Sequence, residues 1–126
     1  MVEYLCKGET MRYTKSLKGS VNFKRVLKQG KYVSGKNISI YVKKNDLKGS
    51  TNLLGICVSK KHGNSVVRNK LKRWVREAYY SIESNIEKKY NIVILYRKGI
   101  DVEKLSYNVV KDEITHLFTK FELIHE

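Results

Sequence analysis

From Val67 to Ile82 the apolar residues recur at helical spacing, and up to Arg76 five of the six positions between them are cationic. At ~100° per residue, Val67, Leu71, Trp74, Val75, Ala78 and Ile82 fall within about 60° either side of one common direction. Arg68, Asn69, Lys70, Lys72, Arg73 and Arg76 fan around the other side, with no acid before Glu77. A helix of this kind must lay its stripe on a core and turn its cations outward. Like charges four residues apart, as in Arg68–Lys72–Arg76, each cost roughly 0.2–0.5 kcal/mol in an isolated helix. A merely solvated helix interleaves Glu. Repulsion left uncompensated is expected where phosphates supply the counter-charge; the alternative is an ordinary solvated basic face.

The segment before the helix points the same way. Ser59-Lys60-Lys61-His62-Gly63-Asn64-Ser65 joins a strand to the helix N-terminus. Gly63 permits a tight turn, and free backbone N–H groups there can meet a phosphate. Lys60 and Lys61 add point charges, and Arg68 offers a planar fork for bidentate phosphate contact or base stacking. Asn64 and Ser65 can equally cap the helix, and the two roles are compatible. His62 reads as a loop donor rather than a catalytic base.

Charge is concentrated, not only high. The formal charge is +14; residues 11–76 hold 18 Lys/Arg against the single acid Asp46, whereas residues 77–126 hold 7 Lys/Arg against 9 acids. One-sided concentration in a folded domain points to a polyanionic partner. A lysine-rich surface set by genome composition is the bland alternative.

The remaining elements follow from periodicity and punctuation. Ser20 is placed to cap a short helix to about Gln29, with Gly30 as its stop and Phe23, Val26 and Leu27 on one face. Asn37–Lys44 alternates as a strand, with Ile38, Ile40 and Val42 on one side and Ser39, Tyr41 and Lys43 on the other. Asp46–Thr51 reads as a polar turn. Leu53–Ser59 and Asn91–Tyr96 are apolar on both faces and so read as interior strands. Ser106 can cap a final helix with a stripe of Val110, Ile114, Leu117, Phe118 and Phe121. The 126 residues suit one domain, residues 11–126, preceded by an appendage at residues 1–10. No apolar run approaches the ~20 residues of a membrane span. Cys6 and Cys57 make no disulfide framework, and Cys57 reads as a reduced core thiol, which suits a cytoplasmic setting.

Self-sufficient catalysis finds little support. There is no clustered Cys/His set, no phosphate loop and no nucleophile elbow. The acids fall mostly on the C-terminal helical segments, at positions read as solvent-facing. A metal nuclease needs carboxylates that converge. A ribosomal or other structured-RNA assembly protein remains open beside any nuclease subunit.

The run from Ser59 to Tyr79 resembles the signature of the bacterial ribonuclease P protein family: a Ser-Lys-Lys strand end, a Gly-Asn loop and an Arg-Asn-Arg helix start followed by further cations. Similarity extends from about Leu17 to Phe121. Lys70 stands where the second Arg of the triplet is usual, which keeps charge but loses the bidentate fork. Ser65 stands where Ala is usual. The resemblance implies a single α/β domain with a mixed four-stranded sheet, about three helices and a left-handed βαβ crossover. It also implies that chemistry resides on a catalytic RNA with Mg2+, and not on protein side chains. On that basis Lys60, Lys61, Asn64, Arg68, Asn69, Lys70, Lys72, Arg73 and Arg76 face the catalytic RNA. Phe23, Leu27, Ser39 and Tyr41 form a cleft for the 5′ leader of precursor tRNA, with Leu27 replacing a commonly aromatic residue.

Read from the residues alone, the cleft is less determined. Tyr41 sits on the less apolar strand face, where a flat ring can stack on an unpaired base. Phe23 reads first as helix-to-sheet core, and Trp74 as structural. Residues 1–10 carry little apolar surface and precede the first helix. Deleting them, so that the chain starts at Met11, should leave the melting temperature and precursor cleavage nearly unchanged. A large loss of either would show that Tyr4 or Leu5 docks on the domain.

Overall fold

The structure, a computed structural model, describes residues 14–45 and 51–121. The appendage at residues 1–10, Cys6 and the turn residues 46–50 lie outside the described residues. Five strands form one sheet: β1 (Thr14–Ser16), β2 (Lys31–Ser34), β3 (Ile38–Lys44), β4 (Asn52–Cys57) and β5 (Tyr90–Tyr96). Three helices join them: α1 (Ser20–Gln29), α2 (Ser65–Ile82) and α3 (Tyr107–Lys120). The sheet order is β1-β4-β5-β3-β2. Strands β1, β4 and β5 run parallel, whereas β3 is antiparallel to both β5 and β2. Four strands were expected; the sheet has five. The short outer strands β1 and β2 lack an apolar alternation of their own, because edge positions bury little.

Two cores lie on the two faces of this sheet, which is why residues 53–57 of β4 and 92–96 of β5 carry no charged or amide side chain. Ile38, Ile40 and Val42 of β3, Leu54 and Ile56 of β4, and Ile92, Ile94 and Tyr96 of β5 point to one face. There they meet Leu71, Val75, Ala78 and Tyr79 of α2 and Val110, Ile114, Leu117 and Phe118 of α3. On the other face a smaller cluster gathers Leu17, Phe23, Val26 and Val93, flanked by Tyr41, Leu53, Cys57 and Leu95. Helix α1 covers this face across β3 and β5. Cys57 is half-buried there, and burial pushes its thiol pKa up.

Polar anchors fix the helices at defined registers. The hydroxyl of Tyr79, fully buried on α2, lies 2.9 Å from Thr14 Oγ1 in β1 and accepts from Asn52 Nδ2 of β4 at 3.4 Å. Asn52 also accepts from the Tyr90 amide at 2.8 Å, so the Tyr79 and Asn52 side chains together tie α2 to β1, β4 and β5. Burial pushes the Tyr79 pKa up to about 12. Tyr96 donates to the Leu71 carbonyl at 2.8 Å, joining β5 to α2. Glu113 of α3 accepts from the amides of Asn37 and Ile38 at 2.9 and 2.6 Å. Two acids expected to face solvent do not: Glu113 is half-buried in this anchor and Glu83 is only 5% exposed. Periodicity cannot reveal that a carboxylate has backbone amides to satisfy.

The caps were partly anticipated. Ser106 and Asn64 cap α3 and α2, accepting from the Val109 and Val67 amides. Ser20 does not cap α1; it is the first helical residue, and the cap position is Gly19, at φ 88°. Gly30 ends α1, and a Cβ there would lie 2.6 Å from the carbonyl oxygens of Val26 and Val42.

Gly55 of β4 lies directly beneath the ring of Phe23, so an added methyl would overlap it. Gly55→Ala should therefore lower stability by about 1–3 kcal/mol in chemical denaturation, the usual cost of overpacking. The same change in a Phe23→Ala background should cost much less, since the space is then free. Equal costs in both backgrounds would contradict this packing.

Candidate nucleic-acid interface

Helix α2 displays a narrower cationic face than its pattern implied. Lys72 is 2% and Arg76 8% exposed, so both lie in the packed part of the helix and not on its outward face. The reason is the width of the buried arc. Relative to Val67, Tyr79 lies at about 120°, Lys72 at about 140° and Arg76 at about 180°. Tyr79 is fully buried, which carries the packed arc past Val75 to these two cations. A stripe that leaves out Tyr79 is centred too far to one side.

Asn69, Lys70 and Arg73 remain exposed, and Arg68 is half-buried. Their outward arc contains one acid, Glu77, whose Oε1 lies 3.9 Å from Arg73 Nε. That pair is solvent-exposed and contributes little. The Lys70 ammonium lies 5.2 Å from the centre of the Trp74 ring, a cation–π contact that holds the lysine over the half-buried indole. Arg68 Nε is buried and has no hydrogen-bond partner. A depression of about 610 Å³ lies among Val66, Asn69, Lys70, Arg73 and the edge of Arg76.

The loop preceding α2 continues this surface. Lys60–His62 forms a single 3-10 turn, with Ser59 Oγ accepting from the Lys61 amide at 3.2 Å. Lys60, Lys61 and Asn64 are exposed. Gly63 has φ 148°, and a Cβ there would press on Val67 at 2.9 Å. Glycine is thus required both by backbone conformation and by close approach. His62 Nε2 lies 3.0 Å from the Arg97 carbonyl. A carbonyl can only accept, so Nε2 carries the proton and the ring ties the loop to the end of β5. Its place is structural, as a loop donor.

On the opposite face of the sheet the four cleft residues fall near one another but differ in access. Phe23 is 7% exposed and belongs to the core under α1. Ser39 is 6% exposed, and its hydroxyl is bonded to that of Ser34. Leu27 is 37% exposed. Tyr41 is half-buried, and its ring stacks on Tyr32, centroids 5.2 Å apart and planes 22° from parallel. Tyr32 was not singled out in the sequence. Strand β2 carries only one inward apolar residue, Val33, so nothing in the pattern marked Tyr32 as opposite Tyr41. Among the described residues, no three His, Cys, Asp or Glu side chains gather to hold a metal ion. No described helix is long and apolar enough to cross a membrane.

Similarity to known proteins agrees with this arrangement. The family model described as Ribonuclease P matches residues 11–122. The ribonuclease P protein component of Clostridium acetobutylicum is 36% identical over 108 residues, covering 86% of this chain and 89% of that protein. That of Lachnoclostridium phytofermentans is 40% identical over 111 residues, covering 88% and 92%. Among solved structures, the Staphylococcus aureus RNase P protein superposes with a TM-score of 0.76 at 27% identity, covering 90% of this chain and 98% of that one. The Thermotoga maritima RNase P protein gives 0.75 at 30% identity, covering 84% and 96%. The chain belongs to the ribonuclease P protein family, and is the protein subunit that works with the ribonuclease P RNA in an endoribonuclease of tRNA processing.

Proposed function

We propose that the loop Ser59–Ser65 and the outward arc of α2 bind the catalytic RNA, while the α1 face of the sheet holds the unpaired 5′ leader of precursor tRNA. The observation that carries the first half is the cationic arc. Lys60, Lys61, Arg68, Lys70 and Arg73 form it, with Asn64 and Asn69 between them and, among the described residues of this arc, only Glu77 opposing. Folding leaves this repulsion unrelieved, and RNA phosphates relieve it. Lys72 and Arg76, being buried, do not form its outer contacts. Lys70, stacked on Trp74, is a positioned point charge where a guanidinium would have been a fork.

The second half rests on Tyr41. A half-buried ring on a sheet face offers a flat surface to an unpaired base, and every base has one to match. Leu27 at the edge of α1 gives apolar contact without stacking. Phe23 supports the cleft from beneath as packed core, and Ser39 stays engaged with Ser34.

In this reading the chemistry belongs to the RNA. Mg2+ is expected on the RNA, where it would supply charge stabilisation for phosphodiester hydrolysis. The protein's part is to neutralise phosphates and position substrate. It works in the cytoplasm, where precursor tRNA is made.

Mature tRNA lacks the leader, which makes the cleft testable separately from assembly. In holoenzyme reconstituted with the catalytic RNA, Tyr41→Ala should weaken precursor binding about five- to a hundredfold, the worth of a single base stack at ~1–3 kcal/mol. Binding of mature tRNA and assembly with the catalytic RNA should change little. Circular dichroism and melting must first show that the variant folds. An unchanged ratio of precursor to mature affinity in the folded variant would remove Tyr41 from the leader site.

A further inference from the structure

Among the described residues, Tyr32 is the one large ring on the α1 face that this fold leaves outside both cores. It lies on β2, the outermost strand, directly opposite Tyr41 in the antiparallel register. Cross-strand partners point to the same face of a sheet. Tyr32 therefore stands beside Tyr41, one strand farther from the centre, at about 4.8 Å strand spacing. Helix α1 packs over β3 and β5. Tyr32 is 63% exposed, whereas its neighbour Val33 turns to the other face and packs on the main core. A Thr or Ser would serve an edge position at less cost in exposed apolar area.

We propose that Tyr32 is a second base-stacking position, extending the single-stranded RNA cleft from Tyr41 to the sheet edge by one nucleotide. The inference rests on the reading of Tyr41 as a leader contact. With one face of Tyr41 already lying against Tyr32, the pair forms a two-ring platform whose outer surface is that of Tyr32. One nearby cation supplies charge for a phosphate backbone: Lys43 follows Tyr41 on the same face of β3. Aromatic rings beside a cation, without a hydrogen-bonding code, suit an unpaired strand read without sequence preference. The alternative is a structural pair, in which Tyr32 only shields Tyr41 and stiffens the edge strand.

Leader length separates these. Reconstituted holoenzyme would be titrated with precursor tRNAs whose leaders grow one nucleotide at a time, using wild type, Tyr32→Ala, Tyr32→Phe and Tyr41→Ala. For Tyr32→Ala, affinity should stop rising one nucleotide sooner than for wild type. Affinity for the longer leaders should drop about five- to a hundredfold, the range expected for a single base stack. Mature tRNA should bind as before, and Tyr32→Phe, which keeps the ring, should behave as wild type. A folded Tyr32→Ala that binds every leader as wild type does, while Tyr41→Ala loses the long ones, overturns this inference and leaves the leader site standing. Loss spread equally over all leader lengths and mature tRNA overturns it too, in favour of the structural pair. If Tyr41→Ala and Tyr32→Ala are both silent, the leader reading itself has failed.

Discussion

The burial of one broad arc of α2 holds the rest of this structure in place. That arc meets the sheet through Leu71 and Val75 and meets α3 through Tyr79, whose ring stands edge-on to Phe118 at 6.1 Å. Each such side chain contributes roughly 1.5–3 kcal/mol of hydrophobic stabilisation. The like-charge pair Lys70–Arg73 on the outward arc costs roughly 0.2–0.5 kcal/mol. Packing therefore wins by a wide margin, and a helix that would repel itself in isolation is held rigid with its cations displayed. The loop before it inherits that rigidity, because Asn64 caps α2, Gly63 packs on Val67 and His62 is tied to β5.

The sheet separates two surfaces by separating two cores. One face is sealed by α2 and α3. The other is only partly covered by α1, so that the core around Phe23 grades into the open ring pair Tyr41–Tyr32. The proposed phosphate-binding surface lies on α2, on one side of the sheet, and the proposed stacking surface lies on the other face, at β3 and β2. A catalytic RNA can hold one while a single strand occupies the other, without competition for the same side chains.

The elements with a strong period were legible in the sequence: α3 and its Ser106 cap, α2, β3, β4 and β5 all lie where spacing put them. What was hidden has physical causes. Strands β1 and β2 are short edges whose partners, not their own residues, make them strands. Tyr79 escaped the α2 stripe because its hydroxyl looks polar until Thr14 and Asn52 are beside it, and missing it misplaced Lys72 and Arg76. Glu113 looked like a surface acid because its partners are backbone amides 75 and 76 residues away in the chain. Tyr32 could be recognised only once the register placed it against Tyr41. For the basic surface, the loop, Arg68, Lys70 and Arg73 were readable from charge and spacing alone, whereas its true width depended on tertiary packing.

If RNA phosphates supply the counter-charge that the outward arc of α2 lacks, binding must respond to salt. Affinity of the protein for the catalytic RNA would be measured across a series of salt concentrations for wild type, Lys70→Ala and Arg73→Ala. Removing one phosphate interaction should flatten the slope of log K against log salt by about one. Both variants should show that flattening, with melting temperatures close to wild type, because neither side chain is buried. Slopes identical to wild type in both folded variants would mean that this helix does not face the RNA.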